Sequence, residues 1–356
     1  MGKKINITVL EGDGIGPEVT KEAVKTLKSV AEVFGHNFQF QHEDFGGVAI
    51  DKHGASLPER TLSACKNSDT VLLGAIGDPK FDNKDIRPEQ GLLALRQELD
   101  LFANLRPVRS YPSLVKHSPL KSEIIKDVDL LIVRELTGGI YFGERGRSKD
   151  GNAAYDTCSY SKIEIQRIVE LAFTKAEKRR SKICLIDKAN VLESSRLWRE
   201  EFLNIQKNRS NVSCSFQYVD NAAMQIILNP SQYDVIVTSN MFGDIISDES
   251  SVIAGSLGLL PSASLGKMHS LFEPIHGSYP QAAGKNIANP MATILSAAMM
   301  LEHFDLLEEA AAVKNAVELC LHSNFVTKEL TNGEAQSCSA VGKEISKIIK
   351  EKSKIS

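Results

Sequence analysis

Short runs of β-branched and apolar residues alternate with amphipathic helical stretches along most of the chain. The runs include INITVL at 5–10, DTVLLG at 69–74, DLLIVREL at 129–136, KICLID at 182–187, SCSFQYVD at 213–220 and YDVIVTS at 233–239. Helical patterns occupy 17–34, 58–66, 162–180 and 195–208, and the last third of the chain is mainly helical. This alternation predicts an α/β fold with mostly parallel sheet, because parallel strands need long crossovers that are usually helices.

Composition excludes several classes of protein. A chain of 356 residues is long enough for two domains, and a formal charge of −3 provides no basic surface for nucleic acid or anionic lipid. No stretch approaches the roughly 20 apolar residues of a membrane span, and the N-terminal apolar run is too short for a signal peptide. We therefore expect a cytoplasmic protein that binds small molecules or a second copy of itself.

The cysteines form no CxxC pair, and we expect buried thiols at Cys65, Cys158, Cys184, Cys214, Cys320 and Cys338.

The segment VLEGDGIGPEV at 9–19 follows a predicted strand and opens a helix, as a dinucleotide-binding fingerprint does. Its glycines stand at 12, 14 and 16, which gives GxGxG where the fingerprint needs GxGxxG. The pattern favours a tight strand-to-helix turn with Pro17 at the first helical position. Backbone N–H groups at such a helix start could still contact a ligand.

Two carboxylates, Asp244 and Asp248, stand one helical turn apart directly after a predicted strand. Like charges at this spacing repel by about 0.2–0.5 kcal/mol, so a helix N-terminus, solvent or a cation should offset them. Asn240 is a predicted N-cap of this helix, and Asp220 a predicted N-cap of the preceding one. Together the three carboxylates are compatible with a hard-cation site, for which oxygen ligands favour Mg²⁺ or Mn²⁺. Dipole stabilisation of Asp244 and a solvated face at Asp248 remain alternatives.

Arg96, Arg106 and Arg134 stand at the edges of apolar segments. Each alone is better interpreted as half of a structural ion pair, but three within forty positions favour a site for a multiply anionic small molecule. Lys188 ends a predicted strand and could act as a base in a dry cleft, although lysines there normally face solvent. Tyr141 follows a glycine turn and could donate a proton, or simply pack its loop.

Taken together, these segments resemble the β-decarboxylating dehydrogenases of the isocitrate and isopropylmalate type. The resemblance extends almost from end to end and rests on long composite motifs. They are GDGIGPEV at 12–19, LLALRQELDLFANLRPV at 92–108, VRELTGGIYFG at 133–143, DKANVLESSRLWR at 187–199, SNMFGDIISDESSVIAGSLGLLPSAS at 239–264, EPIHGS at 273–278 and AGKNIANP at 283–290.

The resemblance implies a two-domain fold that differs from the standard Rossmann fold. Residues 1–102 and 255–356 would form a discontinuous cofactor-binding domain, and residues 103–254 a central domain carrying the contact of a homodimer. The cofactor is expected to be NAD⁺, bound along Ile15, Gly258, Glu273, His276, Gly277, Ser278, Gln281 and Asn289. NAD-using relatives usually carry an aspartate where this chain has Gln281. We therefore predict NAD⁺ with weakened discrimination against NADP⁺.

By the same resemblance, Asp244, Asp248 and the second subunit's Asp220 bind Mg²⁺ or Mn²⁺, with Asp220 also beside the substrate. The three arginines would clamp substrate carboxylates, the second subunit's Lys188 would take the hydroxyl proton, and Tyr141 would protonate the enol carbon. The implied reaction is the oxidative decarboxylation of 3-isopropylmalate to 4-methyl-2-oxopentanoate in leucine biosynthesis. Specificity would come from a segment in which two leucines offer an apolar wall and a glutamate repels a third carboxylate, namely Leu92, Leu93 and Glu89.

Other functions stay open at this point. Related 3-alkylmalates should also react, since one methylene in such a pocket is worth only about 1–3 kcal/mol, and a tartrate, malate or isocitrate enzyme is an alternative. The carboxylate trio could instead serve metal-assisted hydrolysis of phosphate esters, which would need no nicotinamide. A non-catalytic, metabolite-binding dimer is a third possibility, against which the presence of Lys188 and Tyr141 argues.

Overall fold

The computed structural model describes residues 2–352, and the chain divides into two compact units. The terminal unit comprises the residues up to 100 together with those from 256 onward, and the central unit comprises residues 101–255. The cofactor-binding and dimer-forming roles given to the predicted domains, and the boundaries drawn for them, stay predictions. Within residues 2–352, no helix is both long and apolar enough to cross a membrane.

Strands and helices alternate along the chain. The strands are β1 (Lys4–Gly12), β2 (Asn37–Glu43), β3 (Thr70–Ala75), β4 (Ala103–Arg109), β5 (Asp129–Glu135), β6 (Arg145–Arg147), β7 (Ala154–Asp156), β8 (Lys182–Asp187), β9 (Ser213–Tyr218), β10 (Val235–Thr238), β11 (Pro261–Leu265) and β12 (Ser270–Pro274). The α-helices are α1 (Gly16–Phe34), α2 (Gly47–His53), α3 (Glu59–Asn67), α4 (Pro88–Glu98), α5 (Ser122–Ile125), α6 (Lys162–Glu177), α7 (Glu193–Gln206), α8 (Val219–Leu228), α9 (Asn240–Ser250), α10 (Met291–His303), α11 (Leu307–His322) and α12 (Cys338–Lys352).

The unit that joins both chain ends has the strand order β2-β1-β3-β12-β11. Neighbouring strands run parallel except for the antiparallel pair β11 and β12. Every residue of β3 is buried, and α10 is buried on most of its sides because its sequence, MATILSAAMMLEH, is apolar nearly all round. The glycine loop makes the predicted tight turn, in which Gly12 and Gly14 have φ of 73° and 58°. Contrary to the prediction, Pro17 is not the first helical residue, because α1 begins at Gly16 and Pro17 is its second residue.

The central unit has the strand order β4-β5-β10-β8-β9, in which only β4 runs antiparallel to its neighbour. Helices α8 and α9 pack on the sheet face that carries Ile132, Ile186 and Ile236. Helices α6 and α7 pack together against the same strands. Strands β6 and β7 form a separate two-stranded antiparallel ribbon. These units confirm the mixed α/β fold with mostly parallel strands that the alternating sequence pattern predicts.

Three further local predictions are wrong. Asp220 is not an N-cap, because β9 ends at Tyr218 and Asp220 already lies in the first turn of α8. Asn240 is not the N-cap of α9 either, since Ser239 takes that position and Asn240 is the first helical residue. Not every cysteine is buried: all six are free thiols, but Cys158 is exposed and Cys214 is partly exposed.

Candidate active site

Strand pairing brings the candidate residues of the central unit together. Arg134 lies near the carboxyl end of β5, where it pairs with Thr238 at the end of the parallel strand β10. Because α9 begins two residues after β10, its first turns lie beside Arg134. On the other side of β5, Asn104 of β4 lies opposite Arg134, and Arg106 follows on the same face of that strand.

Two arginines bind the carboxylates of α9. Asp244 accepts a hydrogen bond from Nη1 of Arg134, and Arg106 Nη2 lies 3.8 Å from the same carboxylate. Arg106 Nη1 also donates to Asp248 at 2.8 Å, while the Asp248 side chain stays 69% exposed. The repulsion between two carboxylates one turn apart is therefore offset by the guanidinium groups that contact them.

Tyr141 belongs to the same group of side chains. It ends a short 3₁₀ helix, Gly139–Tyr141, and its hydroxyl donates to Asp244 at 3.0 Å. Burial raises the pKa of the Tyr141 phenol, and the negative charge of Asp244 raises it further. Both effects disfavour the phenolate, so Tyr141 keeps its proton well above neutral pH and can act as an acid.

Asn240 holds Arg134 and the Tyr141 loop in place, a role that the sequence did not reveal. Its side-chain oxygen accepts from Nε and Nη2 of Arg134 at 3.1 and 2.9 Å, and its amide nitrogen donates to the Gly138 carbonyl at 3.2 Å. Its backbone N–H donates to the Tyr160 hydroxyl at 2.9 Å. Asn240 is only 1% exposed, so these bonds are shielded from water.

We expect Asn240→Ala to lower the free energy of unfolding by about 2–3 kcal/mol. The variant removes the acceptor for two nitrogens of the buried Arg134 guanidinium, which keeps its bond to Asp244, and removes the Asn240 donor to the buried Gly138 carbonyl. Differential scanning calorimetry measures the change. Asn240→Asp is the matched control, because it keeps an acceptor for Arg134 and should lose less stability than the alanine variant. An alanine variant as stable as the wild type would contradict this role.

Lys188 and Asp220 lie together at the ends of neighbouring strands. Lys188 directly follows β8, Asp220 lies just after β9, and Lys188 Nζ is 2.7 Å from an Asp220 oxygen. Hydrogen bonding from Lys188 lowers the pKa of the Asp220 carboxyl, which remains exposed to solvent. Within one chain, Lys188 and Asp220 therefore form an ion pair with each other, whereas arginines bind Asp244 and Asp248.

A metal at the carboxylates of α9 would need further ligands. Asp244 and Asp248 supply two oxygen-bearing groups of the kind that Mg²⁺ and Mn²⁺ prefer. Over the range 2–352, no group of three or more histidine, cysteine, aspartate or glutamate side chains lies close enough to hold a metal ion. The chemistry of the two carboxylates fits a hard cation, but a third protein carboxylate would have to come from outside this group.

In the terminal unit, Arg96 forms an ion pair with Glu273 at 2.9 Å. The binding of a substrate carboxylate by Arg96 stays a prediction. Arg96 shares one face of α4 with the predicted specificity residues, since they occur at helical spacing. Glu89 and Leu93 are exposed there, and Leu92 is partly buried. This face presents a carboxylate, an apolar surface and a guanidinium in sequence.

Four of the predicted cofactor residues of the terminal unit take part in contacts to two backbone carbonyls, those of Ser278 and Gly277. The Ile15 N–H donates to the Ser278 carbonyl at 2.8 Å, and a Cβ on Gly14 would lie 2.0 Å from that carbonyl oxygen, so only glycine fits. His276 Nδ1 lies 3.0 Å from the Gly277 carbonyl, and burial lowers the pKa of its imidazole. The neutral form is therefore favoured at physiological pH.

Glu329 organises the other predicted cofactor residues, and no sequence motif pointed to it. One of its carboxylate oxygens accepts from Ser256 Oγ at 2.7 Å and from Asn289 Nδ2 at 2.8 Å. Ser256 Oγ in turn accepts from the Gly258 N–H at 2.9 Å. The backbone of Gly258 and the amide of Asn289 are thus fixed through one carboxylate. Gln281 is exposed in the short 3₁₀ helix Pro280–Ala282.

The mostly parallel α/β fold and the arginines bound to the two carboxylates of α9 are compatible with a β-decarboxylating dehydrogenase. The chain belongs to the isocitrate/isopropylmalate dehydrogenase family, whose model matches residues 6–345. This confirms the family predicted from the sequence motifs.

Named relatives are similar over nearly the full chain. The 3-isopropylmalate dehydrogenase of Carboxydothermus hydrogenoformans is 55% identical over 331 residues, which cover 91% of this chain and 88% of that protein. The 3-isopropylmalate dehydrogenase of Bacillus subtilis is 51% identical over 363 residues, with 99% of each chain covered. The crystal structure of isocitrate dehydrogenase from Methylococcus capsulatus superposes with a TM-score of 0.88 at 32% identity, covering 98% of this chain and 100% of that one.

Proposed function

We propose that this protein is a 3-isopropylmalate dehydrogenase, which oxidises 3-isopropylmalate with NAD⁺ and releases CO₂ to give 4-methyl-2-oxopentanoate in leucine biosynthesis. The observation that carries the proposal is the arrangement of Arg134, Arg106 and Tyr141 around the two carboxylates of α9. Relatives with the same name at more than half identity support the choice of substrate. A cytoplasmic location is part of the proposal, and the free state of all six cysteines supports it.

The side chains of the central unit can perform the acid–base steps. Arg106 and Arg134 would bind substrate carboxylates, because planar guanidinium groups match two carboxylate oxygens. Lys188 would take the proton of the 2-hydroxyl as hydride leaves C2 for the nicotinamide. Tyr141, protonated at neutral pH, would return a proton to C3 after CO₂ has left. Mg²⁺ or Mn²⁺ held by Asp244, Asp248 and a third carboxylate would polarise the carbonyl and stabilise the negative charge that develops.

The third carboxylate is proposed to come from a second copy of the chain. Asp220, Met224 and Leu228 follow at four-residue steps on α8 and therefore share one face of that helix. Ile245 lies three residues before Asp248 on α9, and the exposed fractions of Met224, Leu228 and Ile245 are 51%, 55% and 54%. A symmetric dimer through these faces would bury the apolar side chains and bring Asp220 and Lys188 of one subunit to α9 of the other.

The decisive test is NADH formation and CO₂ release from 3-isopropylmalate, measured with and without Mg²⁺. The proposal expects both products in equal amounts, and only when the divalent cation is present. Isocitrate, malate and tartrate are the matched competitors, and we expect kcat/KM for each to lie well below that for 3-isopropylmalate. A clear preference for one of them would change the assigned substrate, and no NADH from any of the acids would reject the function.

Cofactor choice is tested at Gln281. A neutral side chain at this position neither repels a 2′-phosphate nor attracts it, so we expect kcat/KM to favour NAD⁺ over NADP⁺ by a modest ratio. Gln281→Asp should increase that ratio by about tenfold or more, because a carboxylate would face the 2′-phosphate of NADP⁺. Steady-state kinetics with both cofactors provide the measurement. A wild-type preference for NADP⁺ would contradict the prediction.

A further inference from the structure

Tyr279 has a backbone conformation that is unusual for its residue type. Seven non-glycine residues in the part of the chain that the structure describes have positive φ. Six of them carry short polar side chains, which tolerate the left-handed region: Asp100, Asp127, Ser181, Asn286, Asp305 and Asn324. Tyr279, with φ of 40° and ψ of 64°, is the bulky residue of the set.

The residues on both sides of Tyr279 are held in place. The Ser278 carbonyl is held by the Ile15 N–H at 2.8 Å, and Ser278 itself is buried. On the other side Pro280 opens a 3₁₀ helix, and the Ala282 N–H donates to the Tyr279 carbonyl at 3.0 Å. Proline disfavours the right-handed helical region in the residue before it. The chain turns at residue 279 between these two held segments, and asparagine or glycine would adopt the same backbone angles with less strain.

The folded chain makes little use of the Tyr279 ring. The residue is 56% exposed, and its side chain takes part in no hydrogen bond, ring stacking or cation–π contact with any residue in the range 2–352. A tyrosine at this position therefore strains the backbone without a compensating hydrogen bond or aromatic contact among residues 2–352. Residues whose strained backbone lowers the stability of the fold are typical of ligand-binding sites.

We propose that the Tyr279 ring stacks on the adenine of the dinucleotide and contributes to the affinity of the cofactor site. This inference rests on the proposed function, since it needs a dinucleotide along the loop that carries Gln281. Tyr279 precedes Gln281 by two residues and is fixed to the glycine turn through Ser278 and Ile15. An exposed aromatic face at a fixed backbone position suits a planar purine, and stacking needs no further polar partner.

The test compares Tyr279→Asn with Tyr279→Phe. Asparagine suits the left-handed backbone, as at Asn286 and Asn324, so this variant should unfold at the same or a higher temperature than the wild type. We expect it to bind ADP-ribose about tenfold more weakly by isothermal titration calorimetry, and to show a raised KM for NAD⁺ with little change in kcat. Tyr279→Phe keeps the ring and should bind ADP-ribose as the wild type does. Nicotinamide mononucleotide, which lacks adenine, should bind equally to all three proteins.

Two results would overturn the inference. One is an unchanged affinity of Tyr279→Asn for ADP-ribose, and the other is an equal loss in Tyr279→Phe, which would assign the effect to the hydroxyl. Both results are distinct from a failure of the proposed function. In that case the wild-type protein would form no NADH from any of the acids and would bind no ADP-ribose, irrespective of residue 279.

Discussion

Asp248→Asn is expected to lower kcat for 3-isopropylmalate by about 10³-fold or more and to weaken Mg²⁺ binding. Asparagine keeps an oxygen that can accept from Arg106, so the local fold should persist, but it lacks the charge that a hard cation requires. Lewis-acid stabilisation of the developing charge is worth several kcal/mol, which corresponds to a loss of about this size. Mg²⁺ titrations monitored by calorimetry, together with steady-state kinetics, measure both effects.

Glu249→Gln is the matched control for this experiment. It removes one carboxylate from the adjacent position of the same helix, and Glu249 has no part in the proposed site. We expect its kcat and its Mg²⁺ affinity to stay close to those of the wild type. If Asp248→Asn kept full Mg²⁺-dependent activity, the carboxylates of α9 would not be the metal ligands.

A mixed dimer of two inactive chains is expected to recover activity. One chain carries Asp248→Asn and the other carries Lys188→Met, and each homodimer alone should be inactive. If Lys188 acts in the neighbouring subunit, one of the two sites in the mixed dimer combines an intact Asp248 with an intact Lys188. The purified mixed dimer should then have about half of the wild-type activity, and an unsorted one-to-one mixture about a quarter.

Co-expression of the two chains with different affinity tags isolates the mixed dimer for this measurement. Co-expression of two differently tagged Asp248→Asn chains serves as the control and should yield an inactive protein. An inactive mixed dimer would mean that Lys188 and Asp248 act within one chain, which would reject a site shared between subunits. Sedimentation of the wild-type protein as a monomer would reject it independently.

The structure shows why some candidate residues were predictable and others were not. Arg106, Arg134 and Tyr141 stand in long motifs and were identified from the sequence, and the structure places all three at the carboxylate of Asp244. Asn240 stands in the motif at 239–264 together with Asp244, but its residue type and position favoured an N-cap over a partner for Arg134. That contact joins residues 106 positions apart, which no local pattern encodes.

Glu329 illustrates the same limit in the other unit. It lies in VTKEL at 326–330, where a lone carboxylate in a polar segment carries no functional signal. Only the folded chain brings it to Ser256 and Asn289, from which it accepts hydrogen bonds with one oxygen. The six other residues with positive φ have sequence types that suit turns, whereas the strain at Tyr279 is visible only in the backbone angles.

The sequence by itself determined the α/β class, the order of the main strands and helices, and the family. These features depend on local periodicity and on contiguous motifs, which are properties of neighbouring residues. The tertiary structure alone decided which guanidinium binds which carboxylate, that Asn240 holds Arg134, and that Lys188 pairs with Asp220. Each of these contacts depends on strands and helices from distant parts of the chain lying side by side, and the pairing of strands, not the spacing of residues, sets those distances.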